Sequence, residues 1–371
     1  MIDLNFERDY DGKYILVDFD GHGFTKEHLT TAGDAREGSS SSFWLKKGDK
    51  RYVVKSSLHN CYKLSQYGEM LFSEIAKKCN IPCANIDVAK MGELEFVVSE
   101  DVCQKDSERF AVDMFFGPRR FQEEELKNLT LDFSSVEGSD AFYSVDGIYD
   151  FAVRFAHKNG LEIEKELKNN LYKYAIIDFL CCQIDRHGEN LMFEIVQENG
   201  IKKLRICPLF DNEMSFMFFY VQDKLREVEL KYKEIPSGLT EAEYERRYIK
   251  EASEVSKNHY YPLLGPDFEV HTREIDIAGG IIGILKDIHL GEKMLLNFAT
   301  SFAVEIENNK ELKDFYDKLD VNIFECAKNI KKQTGFNIPE EYLYLAEEIY
   351  YSRKQMLDKE LKDYEEMVMG E

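Results

Sequence analysis

The stretch IDFLCCQIDRHGENLMFEI, residues 177 to 195, is followed by ICPLFDNEMSF, residues 206 to 216. Residues 174 to 182 (YAIIDFLCC) are apolar on nearly every side of a helix, the pattern of a helix buried at the centre of a lobe. That helix, expected from Glu164 to Gln183, delivers Asp185-Arg186-His187-Gly188-Glu189-Asn190 into a loop. Two strand-like arms follow, Leu191 to Val196 and Lys203 to Cys207, joined through Gln197-Glu198-Asn199-Gly200, where Asn-Gly signals a tight turn. An antiparallel hairpin sets its outer ends side by side, so Asn190 is expected beside Phe210 and Asp211.

Three oxygen-bearing side chains, Asp185, Asn190 and Asp211, therefore converge. Carbonyl and carboxylate oxygens suit Mg2+, a hard cation that substrate phosphates and waters finish coordinating. Phosphoryl transfer needs metal clamps, an anchored triphosphate and one carboxylate to orient the attacking hydroxyl and take its proton. Asp185 is left for that last task, with Asn190 and Asp211 as metal ligands. The spacing of five from Asp185 to Asn190 equals that between the catalytic Asp and metal-binding Asn of a kinase catalytic loop. An Asp and an Asn so spaced also arise by chance in an acidic chain; the hairpin and the second aspartate give the spacing its weight.

With 371 residues, the chain is long enough for two units sharing a cleft. Residues 1–101 read as a β-rich unit: strands Lys13 to Phe19, Ser42 to Leu45, Arg51 to Lys55 and Glu95 to Val98, with one helix from Gln66 to Cys79. Residues 102–371 read as helical: Tyr149 to His157, Glu164 to Gln183, Ile277 to Leu290, Lys293 to Glu305, Lys310 to Thr334 and Pro339 to Met367, the hairpin being the single strand signal. Val221 to Val270 is charged and weakly periodic, an expected insertion. The fold class is α+β.

A formal charge of -22 repels polyphosphate and anionic lipid in the absence of a basic patch, so neither direct nucleic-acid contact nor membrane docking is expected. No long apolar run or secretory leader is visible, which points to the cytoplasm. The 8 cysteines are scattered; Cys79 with Cys83 and Cys181 with Cys182 match neither a zinc pair nor a redox motif, and reduced structural thiols are expected.

In the two quoted stretches the chain resembles the HipA-like and CtkA-like bacterial kinases, and the Asp-Arg-His-x-x-Asn order is shared with phosphatidylinositol kinases. The resemblance implies a two-lobed, protein-kinase-like fold with a small β-rich N-lobe and a larger helical C-lobe, using ATP and Mg2+. It makes Asp185 the base, Asn190 a metal ligand, and Asp211, in a Pro-x-aromatic-Asp segment, the second ligand. Ser215 fits the Ser that often follows. His187 belongs to the same string, as a brace of the loop or a substrate contact.

GSSSSFWLKKGDKRYVVK, residues 38 to 55, resembles the phosphate-loop hairpin of these kinases. Gly38, Ser39, Ser40, Ser41 and Ser42 would then cradle phosphates, and Lys55 would reach them. Physically, a Lys ending an apolar strand is either displayed from a rigid element into a cleft or is an edge lysine in solvent. For its carboxylate partner Glu69 is chosen, because it shares a helical face with Phe72 and Ala76. Glu74 lies among Lys77 and Lys78 on the side expected to be solvated. The hinge is expected at Phe96 to Asp101, with backbone groups near Glu100 meeting adenine.

The resemblance further implies that a serine of the loop is autophosphorylated, the added charge expelling the loop. HipA toxins carry an extra N-terminal segment that contacts an antitoxin. About 37 residues precede the phosphate loop here, so the chain is nearer the CtkA-like form, with an antitoxin or regulatory partner left open. The leading expectation is a Ser/Thr protein kinase acting on a protein hydroxyl. The alternatives are a lipid or small-molecule kinase on the same fold and an inactive kinase-fold binding module.

Overall fold

The computed structural model describes residues 2–3, 5–8, 14–18, 25–26, 42–47, 50–56, 63–91, 94–103, 107–112, 145–183, 186, 190–218 and 292–370. Gly38 to Ser41, Asp185, His187, the expected helix at 277–290 and the segment 221–270 lie outside the described residues.

The N-terminal part contains β1 (Ile2–Asp3), β2 (Asn5–Arg8), β3 (Tyr14–Asp18), β4 (Thr25–Lys26), β5 (Ser42–Lys47), β6 (Lys50–Ser56), helix α1 (Lys63–Lys78), β7 (Ile86–Met91) and β8 (Leu94–Glu100). Six of these strands form one sheet in the order β1-β7-β8-β6-β5-β4, while β2 and β3 pair as a separate ribbon. Strand β7 was not expected. Its sequence, IDVAKM, alternates apolar and polar for only two buried positions, Ile86 and Val88, too short a pattern to stand out.

Helix α1 corrects a second expectation. Glu74 is only 7% exposed, not solvated beside Lys77 and Lys78, both of which are exposed. The cause is tertiary: α1 packs against the later helix Ile323–Thr334, which covers the side that periodicity leaves polar. Lys78 reaches Glu325 on that helix at 3.9 Å.

The second part begins with β9 (Glu108–Ala111), α2 (Val145–Lys158), β10 (Glu162–Ile163), α3 (Leu167–Leu180), β11 (Met192–Glu198) and β12 (Ile201–Ile206). The hairpin pairs Phe193 with Ile206 through Glu198 with Ile201. Its turn residues Asn199 and Gly200 have φ of 53° and 83°, the left-handed pair of a type I′ turn. The hairpin is not alone, however: β9 adds antiparallel to β11 and β10 parallel to β12, giving a four-stranded sheet. Segments of four and two residues are too short to leave a periodic trace.

Helix α3 buries one face in its first half, through Leu167 and Leu171, and is buried on all sides from Tyr174 to Leu180. Burial of each large apolar side chain there contributes about 1.5–3 kcal/mol. Around it stand α4 (Glu292–Asn308), α5 (Lys310–Tyr316), α6 (Ile323–Thr334) and α7 (Glu340–Gly370). The single helix expected over 310–334 is therefore two. Asn322 caps α6 by accepting from the Glu325 amide at 2.9 Å, and the intervening carbonyls of Leu319 and Val321 accept from Tyr350 and Tyr351 of α7. No described helix is long and apolar enough to cross a membrane.

Candidate active site

A carboxylate in the middle of YAIIDFLCC must find a partner or stay neutral. Asp178 is fully buried on α3 and meets Arg186, itself 1% exposed, through two parallel bonds of 3.0 Å from Nε and Nη2. Burial pushes the Asp178 carboxyl up, with Arg186 pulling it back. Burial also works against the Arg186 charge, but Asp178 more than offsets this and the guanidinium is held charged. Its face lies 5.8 Å from the Phe72 ring of α1.

The same guanidinium organises the loop. Arg186 Nη1 donates to the Asn190 carbonyl at 3.3 Å and to the Phe210 carbonyl at 2.5 Å, and Nη2 donates to Asn212 Oδ1. One nitrogen thus fixes Asn190, two residues before β11, and the residue preceding Asp211. The hairpin thus sets the backbone of Asn190, which is buried, near that of Phe210, with the half-buried Asp211 next in the chain. Gln183 Nε2 donates to the Asp211 carbonyl at 2.9 Å, tying the end of α3 to the same segment.

Asp211 has φ of 57°, in the left-handed region that a non-glycine residue rarely occupies. The segment holds it there from both sides. Before it, Leu209 forms a parallel bridge with Cys83, its amide donating to Pro82 O at 2.9 Å and its carbonyl accepting from Ala84 at 2.7 Å. After it, the Asn212 amide donates to Glu69 Oε2 at 2.8 Å, and Ser215 Oγ donates to the Asn212 carbonyl at 2.8 Å. Helix α1 comes so close that a Cβ on Gly68 would lie 2.6 Å from the Glu213 carbonyl oxygen.

Glu69, chosen from sequence as the partner of Lys55, is 1% exposed and joins α1 to Asn212. The Lys55 side chain lies outside the described residues; its backbone sits in β6, paired with Ser42 on β5 and with Val97 on β8. Lys55 is therefore on an inner strand and not an edge lysine, and the last residue of the serine run is directly across from it. At the expected hinge, the Glu100 amide donates to the Asn85 carbonyl at 2.9 Å and its carboxylate accepts from Asn85 Nδ2 at 3.1 Å. That amide is already engaged within the chain. Asp178, Gln183 and Asn212 carry no role in the sequence reading, and Arg186 entered only as a letter of the motif. The one signal available was Asp178, a lone charge in an apolar helix.

An amide carbonyl and a carboxylate are oxygen donors of the kind a magnesium ion takes, and Arg186 holds the backbone of Asn190 and of Phe210, the residue before Asp211. No family model matches the chain, and no curated protein matches it. Among solved structures, the Helicobacter pylori proinflammatory kinase CtkA is similar over 88% of this chain and 93% of that chain, with a TM-score of 0.50 and 14% identity. HipA of the Shewanella oneidensis MR-1 toxin–antitoxin system, solved with HipB and operator DNA, is similar over 84% of this chain and 60% of that chain, with a TM-score of 0.38 and 11% identity. The chain has the α+β, kinase-like fold of CtkA.

Proposed function

We propose that the chain is an ATP- and Mg2+-dependent Ser/Thr protein kinase of the HipA-like and CtkA-like type. The observation that supports this reading is the single Arg186 nitrogen bonded to both the Asn190 carbonyl and the carbonyl of Phe210, the residue before Asp211. The likeness to CtkA supports a phosphotransferase fold around that pair.

Asn190 and Asp211 hold the metal, which when bound supplies positive charge against the phosphate oxygens. Asp185 orients the substrate hydroxyl and accepts its proton as the oxygen attacks the terminal phosphorus. Lys55 and the loop Gly38 to Ser42 anchor the triphosphate. Glu69 holds Asn212, and with it the backbone at Asp211. The nucleotide lies between a lobe of residues 1–101 and one of residues 102–371, and a serine of the loop is a site of autophosphorylation.

Radiolabelled ATP offered to the chain, a lysate and a lipid mixture tests the reading. Transfer to protein is expected, with Asp185→Asn lowering it about a hundredfold to ten-thousandfold and Asp211→Asn comparably. Label that appears in lipid would make the chain a lipid kinase. Nucleotide binding with no transfer to any acceptor would make it a binding module, and transfer that survives both substitutions would reject the assigned roles.

A further inference from the structure

Three residues from separate parts of the chain meet on the second sheet: Cys103, just after β8; Glu194 on β11; and Cys207, just after β12. Their ligand atoms lie within 4.8 Å of one another, and the two sulfurs are 3.4 Å apart. Neither thiol belongs to the pairs that are close in sequence. Cys207 is buried, and its backbone N–H donates a hydrogen bond to Met192 O at 2.8 Å, whereas Cys103 is half-buried.

Two arginines frame the pair. Glu194, fully buried, faces Arg205 on β12 and Arg109 on β9. Arg205 spends two N–H groups on one Glu194 oxygen, Nε at 2.8 Å and Nη2 at 2.7 Å. Arg109 donates to Asp101, whose carboxylate in turn accepts from the Cys103 amide at 3.2 Å. A carboxylate already engaged by one guanidinium and flanked by a second is a poor ligand for a divalent cation. The same surroundings favour a thiolate. The Cys207 S–H and, beyond it, Arg109 hold the Cys103 thiol below its ordinary range, while donating that proton keeps Cys207 protonated.

We infer that Cys103 and Cys207 are a redox-active dithiol, a site of reversible disulfide formation with low-molecular-weight disulfides. The half-buried Cys103 thiolate attacks one sulfur of the disulfide, forming a mixed disulfide and releasing one thiolate. Cys207 then attacks Cys103 Sγ, its proton passing to the second departing thiolate. Two protein thiols are oxidised and one small disulfide is reduced to two thiols. The sulfurs need to close from contact to about 2.05 Å, within reach of side-chain rotation. The bond ties the turn after β8 to the strand end that leads into Leu209 and Asp211. It does not rest on the phosphotransfer reading.

The test takes the full chain, reduced and then equilibrated with mixtures of reduced and oxidised glutathione, alkylated, and mapped by mass spectrometry without reduction. A peptide pair bridged through Cys103 and Cys207 is expected, with Cys61, Cys79, Cys83, Cys181, Cys182 and Cys326 alkylated once the chain is unfolded. Cys103→Ser, at the half-buried position, should lose the bridge; Cys207→Ser should leave Cys103 carrying glutathione. A bridge at other cysteines, or both thiols still free where a control dithiol is oxidised, overturns the inference. So does a zinc titration in which one ion per chain protects both thiols and no bridge forms.

Discussion

Arg186 links Asp178, Asn190, Phe210 and Asn212 through one buried guanidinium, so its removal has a definite cost. Arg186→Ala leaves Asp178 buried without a partner and should destabilise the chain by about 3–5 kcal/mol in urea unfolding. Replacing the pair together, Arg186→Met with Asp178→Leu, should cost clearly less, since no orphan charge remains. Asp211 offers a separate test, because its left-handed backbone is tolerated by glycine and resisted by alanine. Asp211→Gly should be more stable than Asp211→Ala by about 1 kcal/mol, although both lose the proposed metal ligand. The nearness of Asn190 to Phe210 was legible because a hairpin is local. The partnership of Asp178 with Arg186 was not, since they lie eight positions apart and only tertiary structure decides where the guanidinium points.

Between elements, the decisive contact is α1 against the segment 209–213. Gly→Ala in a helix ordinarily stabilises by roughly 0.5–1 kcal/mol. At Gly68 the added Cβ meets the Glu213 carbonyl at 2.6 Å and the Ser215 carbonyl at 3.2 Å, both backbone atoms. Gly68→Ala should therefore destabilise, by about 1–3 kcal/mol, and a rise in the unfolding midpoint would contradict this packing. Asn322→Ala removes the cap that starts α6 and should cost about 1 kcal/mol by the same measurement. Helices with a single apolar face were readable from periodicity. Glu74 and the break before α6 were not, because both are set by neighbours distant in sequence, α6 in one case and the α7 tyrosines in the other.

Across the whole molecule, burial raises thiols outside the Cys103–Cys207 pair: Cys79 and Cys326 to about 12 and Cys83 to about 11, from an ordinary 9.0. With the folded values raised, the stabilisation from keeping these thiols neutral is complete below pH 9.0 and is lost as pH climbs from there toward 12. Urea midpoints measured from pH 8 upward should hold steady at first and then fall. The net charge of -22 adds self-repulsion that salt screens, so the absolute midpoints should rise with ionic strength.

The pairing of Asn190 with Asp211 as a metal grip is tested most directly by electron paramagnetic resonance of Mn2+ titrated into the chain with a non-hydrolysable ATP analogue. Mn2+ should bind only when nucleotide is present, and Asp211→Asn should weaken it about tenfold or more, a loss of at least about 1.4 kcal/mol, while the far-ultraviolet spectrum stays unchanged. Equal Mn2+ binding by Asp211→Asn, Asn190→Ala and the unsubstituted chain would show that these two residues hold no metal.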